Sequence, residues 1–233
     1  VVNRIASITP TAAIAVEAIT YDDWQQFKSS KADFLKLDLS KYTLARENLF
    51  ASFSEVGMIH LPKGKVIVGV STDITVTDNE LASASEKAEF RKVSIYEINV
   101  GSAFAKAYSP LLNLSSPTLY ASIEDFYLFA ENQEALETVI ANYQNKATLS
   151  NSATFQNTES TLSRASSYLH ISSLGSNAYK QLASKDGQKV LKDITLDGYD
   201  YSALQLIQEK DYLLLNMAIL KNDEATTDAN IAQ

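Results

Sequence analysis

Cysteine is absent and histidine occurs twice, so His60 and His170 are the side chains whose ordinary pKa lies near neutrality. Either imidazole has the chemistry of a general base. His60 alternates with Met58 just before Leu61-Pro62, and His170 shares one face of an apolar run with Tyr168. A serine hydrolase adds a nucleophile on a sharp strand-to-helix turn, and no Gly-x-Ser-x-Gly elbow occurs in the chain. Both histidines therefore read as structural residues. Carboxylates offer a second acid–base route, through Asp22 with Asp23, Glu134 with Glu137, and Asp197 with Asp200. A glycosidase holds two carboxyls about 5–9.5 Å apart across a cleft. Helix-start acidity and turn propensity account for all three pairs without one.

Two apparent ligand loops fail at the residues their chemistry requires. Gly64 and Gly69 stand at phosphate-loop spacing, but Val70 and Ser71 follow where Lys and then Ser or Thr must reach phosphate and magnesium. The interior, Lys65-Val66-Ile67-Val68, reads as a buried strand. Asp193-Ile194-Thr195-Leu196-Asp197-Gly198 imitates the opening of a calcium loop, yet Leu204 occupies the place of the bidentate Glu that closes it. That segment reads as a turn. With thiols absent and the histidines in separate segments, no catalytic residue, metal or cofactor is expected.

Tyrosine is the unusual residue, 12 against a single tryptophan, and this directs attention to recognition rather than catalysis. Tyr120, Tyr127, Tyr168, Tyr199 and Tyr201 fall in or beside expected strands and form the candidate recognition surface. Aromatic rings with polar tips suit protein and glycan interfaces. Half-buried strand positions favour the same residue type, which is the competing explanation.

The elements that would carry these residues follow from pattern and punctuation. Strands are expected over Ala12–Ile19, Val56–Leu61, Lys65–Val70, Val93–Ile98, Leu119–Ile123, Phe126–Ala130 and Tyr168–Ile171. Three further strands are expected over Lys189–Leu196, Ser202–Gln208 and Tyr212–Leu220, joined at Asp197-Gly198 and Glu209-Lys210-Asp211. Asp22, Ser102, Asn132 and Ser176 each precede a helical pattern, and Leu44–Phe53 has helical spacing. A short helix runs through Phe155 and Leu162, and residues 77–89 read as a loop with room for one helical turn. One order recurs near Ile14, Val93 and Tyr168: strand, helix, then paired strands. It reads either as a duplicated α+β unit or as ordinary alternation. The expected class is α+β, with an antiparallel or mixed sheet and helices on one face. Ile95, Phe126, Leu128, Leu136, Val139, Ile140, Leu169, Leu213 and Leu215 are expected in the core.

Length and charge bound the rest. The 233 residues are divided into an N-terminal α+β part (1–90), a central and C-terminal part (91–220) continuous with it or separate, and a polar, acidic linker or tail (221–233). Lys and Arg total 20 against 28 Asp and Glu, a formal charge of −8, which argues against a nucleic-acid partner. No apolar run approaches the ~18–20 residues that cross a bilayer as a helix. The chain opens at Val1-Val2 without an initiator Met, which reads as a processed chain, and the missing thiols suit an oxidising compartment.

Val93-Ser94-Ile95-Tyr96-Glu97-Ile98, then Asp125-Phe126-Tyr127-Leu128-Phe129-Ala130-Glu131-Asn132-Gln133-Glu134-Ala135-Leu136, then Asn142-Tyr143 and Thr148-Leu149 make a composite pattern. The pattern resembles the N-terminal α/β region of large uncharacterised envelope proteins of Bacteroidota. The resemblance implies an exported module, periplasmic, outer-membrane-anchored or secreted, and often upstream of propeller-like repeats. It implies no catalytic residues. The expected function is a non-catalytic binding or scaffold module with a protein or glycan partner and further modules in the same polypeptide. The alternative is a hydrolase acting on an envelope polysaccharide or peptide through carboxylate acid and base.

Overall fold

Asp23, Asp73 and Asn132 each end an extended segment and start a helix in the same way: the side chain accepts the backbone N–H three residues on, from Gln26, Val76 and Ala135. The computed structural model describes residues 1–38, 43–159, 161–175, 178–192, 196 and 198–221. A single 3-10 turn, Ile5–Ser7, precedes β1 (Ala15–Thr20), α1 (Trp24–Leu35) and α2 (Glu47–Ala51). The hairpin β2 (Phe53–Leu61) and β3 (Gly64–Ser71) leads to α3 (Ile74–Leu81), β4 (Ser85–Phe90), β5 (Val93–Glu97) and α4 (Ala103–Tyr108). A second hairpin, β6 (Leu119–Ile123) and β7 (Phe126–Ala130), is followed by α5 (Gln133–Gln144) and α6 (Ala153–Glu159). The described residues end with β8 (Tyr168–Ser173), α7 (Lys185–Leu191), β9 (Tyr199–Gln208) and β10 (Leu213–Lys221).

The ten strands of the described residues form one sheet in the order β10-β9-β8-β1-β2-β3-β7-β6-β5-β4. Every neighbouring pair is antiparallel. The α+β class and antiparallel sheet are those expected. The recurring order is visible in space as β1-α1-α2-β2-β3, β5-α4-β6-β7 and β8-α7-β9-β10, each a block of three adjacent strands. Residues 1–90 and 91–220 share this sheet, because β3 pairs with β7 and β4 pairs with β5.

Helices cover both faces of the sheet, not one. Val66, Val68, Val70, Phe126 and Leu128 point to a core completed by Leu136, Val139 and Ile140 of α5 and by Phe155 of α6. Ile67, Tyr127 and Phe129 point the other way, to a core built by Trp24, Leu49, Phe50, Phe104 and Tyr108 from α1, α2 and α4. The physical reason is that β3 and β7 are apolar at successive positions. A strand apolar on both sides must be covered on both sides. The second layer is aromatic: Phe104 and Tyr108 meet the Phe50 ring edge-on at 5.2 and 5.5 Å, and the Tyr21 and Tyr108 hydroxyls lie 2.8 Å apart.

The N-terminal segment docks through a buried carboxylate. Glu55 Oε2 accepts the Arg4 N–H at 2.7 Å and Glu55 Oε1 accepts Asn3 Nδ2 at 3.2 Å. Beside it, Ile5 packs against Gly57, where a Cβ would overlap Ile5 Cδ1. The glycine is thus required by close approach.

Several expectations change. Residues 77–89 hold most of α3 and all of β4 but Phe90. The helical pattern there is masked because Thr77 is buried as a polar residue, its hydroxyl bonded to Ser52 and Ser71. β4 shows no apolar alternation because it is a charged edge strand. Lys189–Leu191 is helical, on a helix capped by Ser184. Residues 193–195 and 197, with the calcium-loop resemblance, lie outside the described residues, as do Ser176 and residues 222–233. The helical spacing of Leu44–Phe53 is realised only as α2, and Phe53 already begins β2. Leu213 and Leu215 are exposed, because β10 is the outermost strand. The other seven expected core residues are buried.

Leu136→Ala should lower stability by about 2–5 kcal/mol, since Leu136 is fully enclosed between α5 and the sheet. Leu215→Ala, on the exposed edge, should change it by less than ~0.5 kcal/mol in dilute, monomeric protein. Urea denaturation of the two variants checks both values.

Candidate functional site

Topology brings together what sequence separates. β1 lies between β2 and β8, and the register sets Glu17 opposite both Met58 and His170 and sets Ala15 opposite His60 and Ser172. Directly opposed residues share a face. Glu17 therefore stands with His60 on one side and His170 on the other, and the chain's two histidines flank one carboxylate. His60 Nε2–H donates to Glu17 Oε1 at 3.2 Å, and the Tyr168 hydroxyl approaches Glu17 Oε2 at 3.5 Å. Ser172 Oγ lies 2.8 Å from His170 Nε2. His60 Nδ1 is buried with no hydrogen-bond partner.

Burial and charge act against each other here. Burial works to raise the Glu17 carboxyl, but the hydrogen bond and charge of His60, the charge of His170 and the Tyr168 hydroxyl outweigh it, and the carboxyl titrates below its ordinary value. Burial lowers the His170 imidazole; Glu17 pulls it back up, and His60 pushes it further down. Burial, reinforced by Glu17, pushes the Tyr168 hydroxyl up to about 12. A carboxylate held ionised beside imidazoles can accept a donor or respond to protons. The Ser172–His170 contact has the residue types of a nucleophile and its base, but Ser172 is buried inside a strand paired on both sides. Glu17 is engaged by His60 and Tyr168. Among the described residues, no group of three or more His, Cys, Asp or Glu side chains is arranged to hold a metal ion.

The same face continues outward as an apolar sheet. Reading across strands, His170 opposes Leu204 and Leu204 opposes Met217; one row along, Tyr168 opposes Leu206 and Leu206 opposes Leu215. Burial falls along these rows, from Ile19 in β1 to half-buried Leu204 and Leu206, then to exposed Leu215 and Met217. The opposite face of the same strands is better covered. There Leu169, Ile171, Tyr201 and Gln205 are buried, and a cleft of about 670 Å³ opens between Leu169, Ile171, Gln205, Phe155 and the N-terminal Val2. Gln205 there is fully engaged, bonding both the N–H and the C=O of Ser163.

The five tyrosines do not make one surface. Tyr120 and Tyr127 are buried in the aromatic core, Tyr120 stacked on Tyr96 and Tyr127 donating to Asp78 at 2.6 Å. Tyr201 is buried on the other face, edge-on to Phe155, and Tyr199 is half-buried at the start of the same strand. Tyr168 alone joins the histidine cluster. The correction has one cause: a sheet covered on both sides buries tyrosines of either parity. Two of the carboxylate pairs are accounted for, with Asp23 capping α1, Glu134 bound to Lys63 and Glu137 to Gln133, while Asp197 of the third lies outside the described residues. Glu17 was the residue hidden in the sequence. Its signal is a lone charge in the apolar run Ala12–Ile19.

The buried carboxylates predict a pH dependence with opposing signs. Burial raises the Glu55 carboxyl from its ordinary value of 4.5 to about 7, against the donors of Arg4, Asn3 and Ile5. Between those values the folded chain binds more protons than the unfolded one, so this contribution is full below 4.5 and is lost as pH rises through about 7. Lowered Glu17 and His170 act the other way and lose their contribution as pH falls. In Glu55→Gln, the fall in stability between pH 4.5 and 7 should flatten relative to wild type. Thermal melts of the two proteins across that window check it.

No protein-family model and no curated protein matches the chain. Two solved structures are similar, both of TP0453. Crystal form III aligns with a TM-score of 0.45 and 12% identity, over 95% of this chain and 81% of that one. Crystal form I aligns with a TM-score of 0.42 and 10% identity, over 96% of this chain and 80% of that one.

Proposed function

We propose that this chain is a non-catalytic binding module of an exported or envelope protein, and that it recognises a protein partner on the face shared by β8, β9 and β10. The observation that carries the reading is the graded face itself. A polar cluster of Glu17, His60 and His170 passes directly into an apolar surface ending at Leu215 and Met217. Exposed apolar surface flanked by polar groups is the usual form of a protein interaction site. Placement in the envelope is supported by the absence of thiols and by the family resemblance of the central segment.

Two measurements test the proposal. Incubation with glycoside, ester and peptide substrates should give no turnover, and Nile red should bind the folded chain in proportion to its open face. Leu206→Ser with Met217→Ser should abolish most of the dye signal. Turnover lost in His170→Ala or Glu17→Gln would overturn the reading in favour of a hydrolase, and a folded chain that binds no dye would contradict the open face.

A further inference from the structure

β9 and β10 turn on Lys210-Asp211, with the Glu209 N–H donating to the Tyr212 carbonyl at 2.9 Å. Hydrogen-bonded and non-bonded pairs alternate along an antiparallel ladder. The register places Leu214 opposite Ile207, Asn216 opposite Gln205 and Ala218 opposite Ala203. Counting in steps of two from Glu209 and Tyr212, these are the bonded pairs. The backbone groups of Leu213, Leu215, Met217 and Ile219 therefore face away from β9. β10 is the end of the sheet, and among the described residues no strand lies on that side. Each of the four residues offers one donor and one acceptor to an arriving strand.

The two sheet edges are built differently. β4, at the far end, carries Glu86, Lys87 and Glu89, and a register shift between Glu86 and Ala88 breaks its ladder. Charge and irregularity of this kind discourage pairing. β10 has neither along its outer run: from Tyr212 to Leu220 the sequence holds no charged residue, and its register with β9 is regular up to Leu220.

We propose that β10 pairs antiparallel with β10 of a second copy of this chain, about a twofold axis at Asn216, joining two sheets edge to edge. The proposal rests on the binding-module reading and names its partner. A twofold contact must be complementary to itself, and in this register Leu213 meets Ile219 and Leu215 meets Met217. Every outward-facing residue then meets another with matching ladder groups and an apolar side chain. No like charges are opposed, although the whole chain carries −8. The edge is also apolar and open. Tyr212, Leu213, Leu214, Leu215, Met217 and Ile219 are each between 48% and 64% exposed.

Sedimentation velocity of the full chain across a dilution series tests this, with amide hydrogen exchange read at both ends of the series. A dimer dissociating on dilution is expected. On dissociation, exchange should accelerate at the amides of Leu213, Leu215, Met217 and Ile219 and stay slow at Leu214, Asn216 and Ala218. Leu215→Pro removes one outward donor without touching the β9 ladder, and Met217→Lys places a charge in the contact. Each should leave only monomer, while Glu89→Ala on β4 should leave the dimer intact. A wild-type chain that is monomeric at every concentration overturns the proposal, and so does a dimer that survives both β10 variants. Monomer with slowly exchanging outward amides also overturns it, because the edge is then occupied by the chain itself. A monomer that still binds Nile red removes the dimer and leaves the functional reading standing, whereas His170-dependent turnover in an intact dimer removes the functional reading alone.

Discussion

β3 and β7 pair through the middle of the sheet, and from Val66 to Val70 and Phe126 to Ala130 no side chain of either reaches water. This two-sided burial governs the rest of the architecture. Antiparallel sheets commonly leave one face wet. Here each face needs its own helical layer, and the chain supplies α5 with α6 on one side and α1, α2 and α4 on the other. The two layers differ in character, aliphatic under α5 and aromatic under α4, because Val66, Val68 and Leu128 face one way while Tyr127 and Phe129 face the other. Small residues fit the same plan. The Phe53 ring lies over Gly69, where any Cβ would meet it at 2.6 Å.

Insertion of β1 between β2 and β8 is the second constraint. It ties the start of the chain to its last three strands and makes the cluster of Glu17, His60 and His170 possible. Glu55 secures the same region from the opposite face by holding the backbone ahead of the first turn. The two buried carboxylates differ in company. Glu17 has imidazoles to share its charge, and Glu55 has mostly neutral donors, with the Arg4 charge the weakest influence on it. One is therefore held ionised, and the other titrates near neutrality.

Local features of this fold were readable in the sequence and non-local ones were not. The hairpins at Pro62-Lys63 and Glu124-Asp125, the Asn132 cap and the apolar stripe of α5 are set by neighbours in the chain. Strand order depends on contacts between segments far apart, so nothing in the sequence placed residues 17, 60 and 170 on one face. β4 carries no strand signal because an edge strand does not need apolar alternation, and Leu213 and Leu215 carry a core signal because apolar alternation does not reveal an edge. The tyrosines failed as a surface for a related reason. Strand parity assigns a side chain to a face but does not say whether that face is covered.

The central claim is that this sheet is sealed at its middle and open at its C-terminal strands. The chain's two methionines stand at those two places. Met58 is fully buried against the aromatic core, and Met217 is 63% exposed on β10. Thioether oxidation follows access to solvent. Limited peroxide treatment of dilute, folded protein, read by peptide mass spectrometry, should convert Met217 to the sulfoxide and leave Met58 reduced. Protection of Met217 equal to that of Met58 would contradict the open face, and early oxidation of Met58 would contradict the sealed centre.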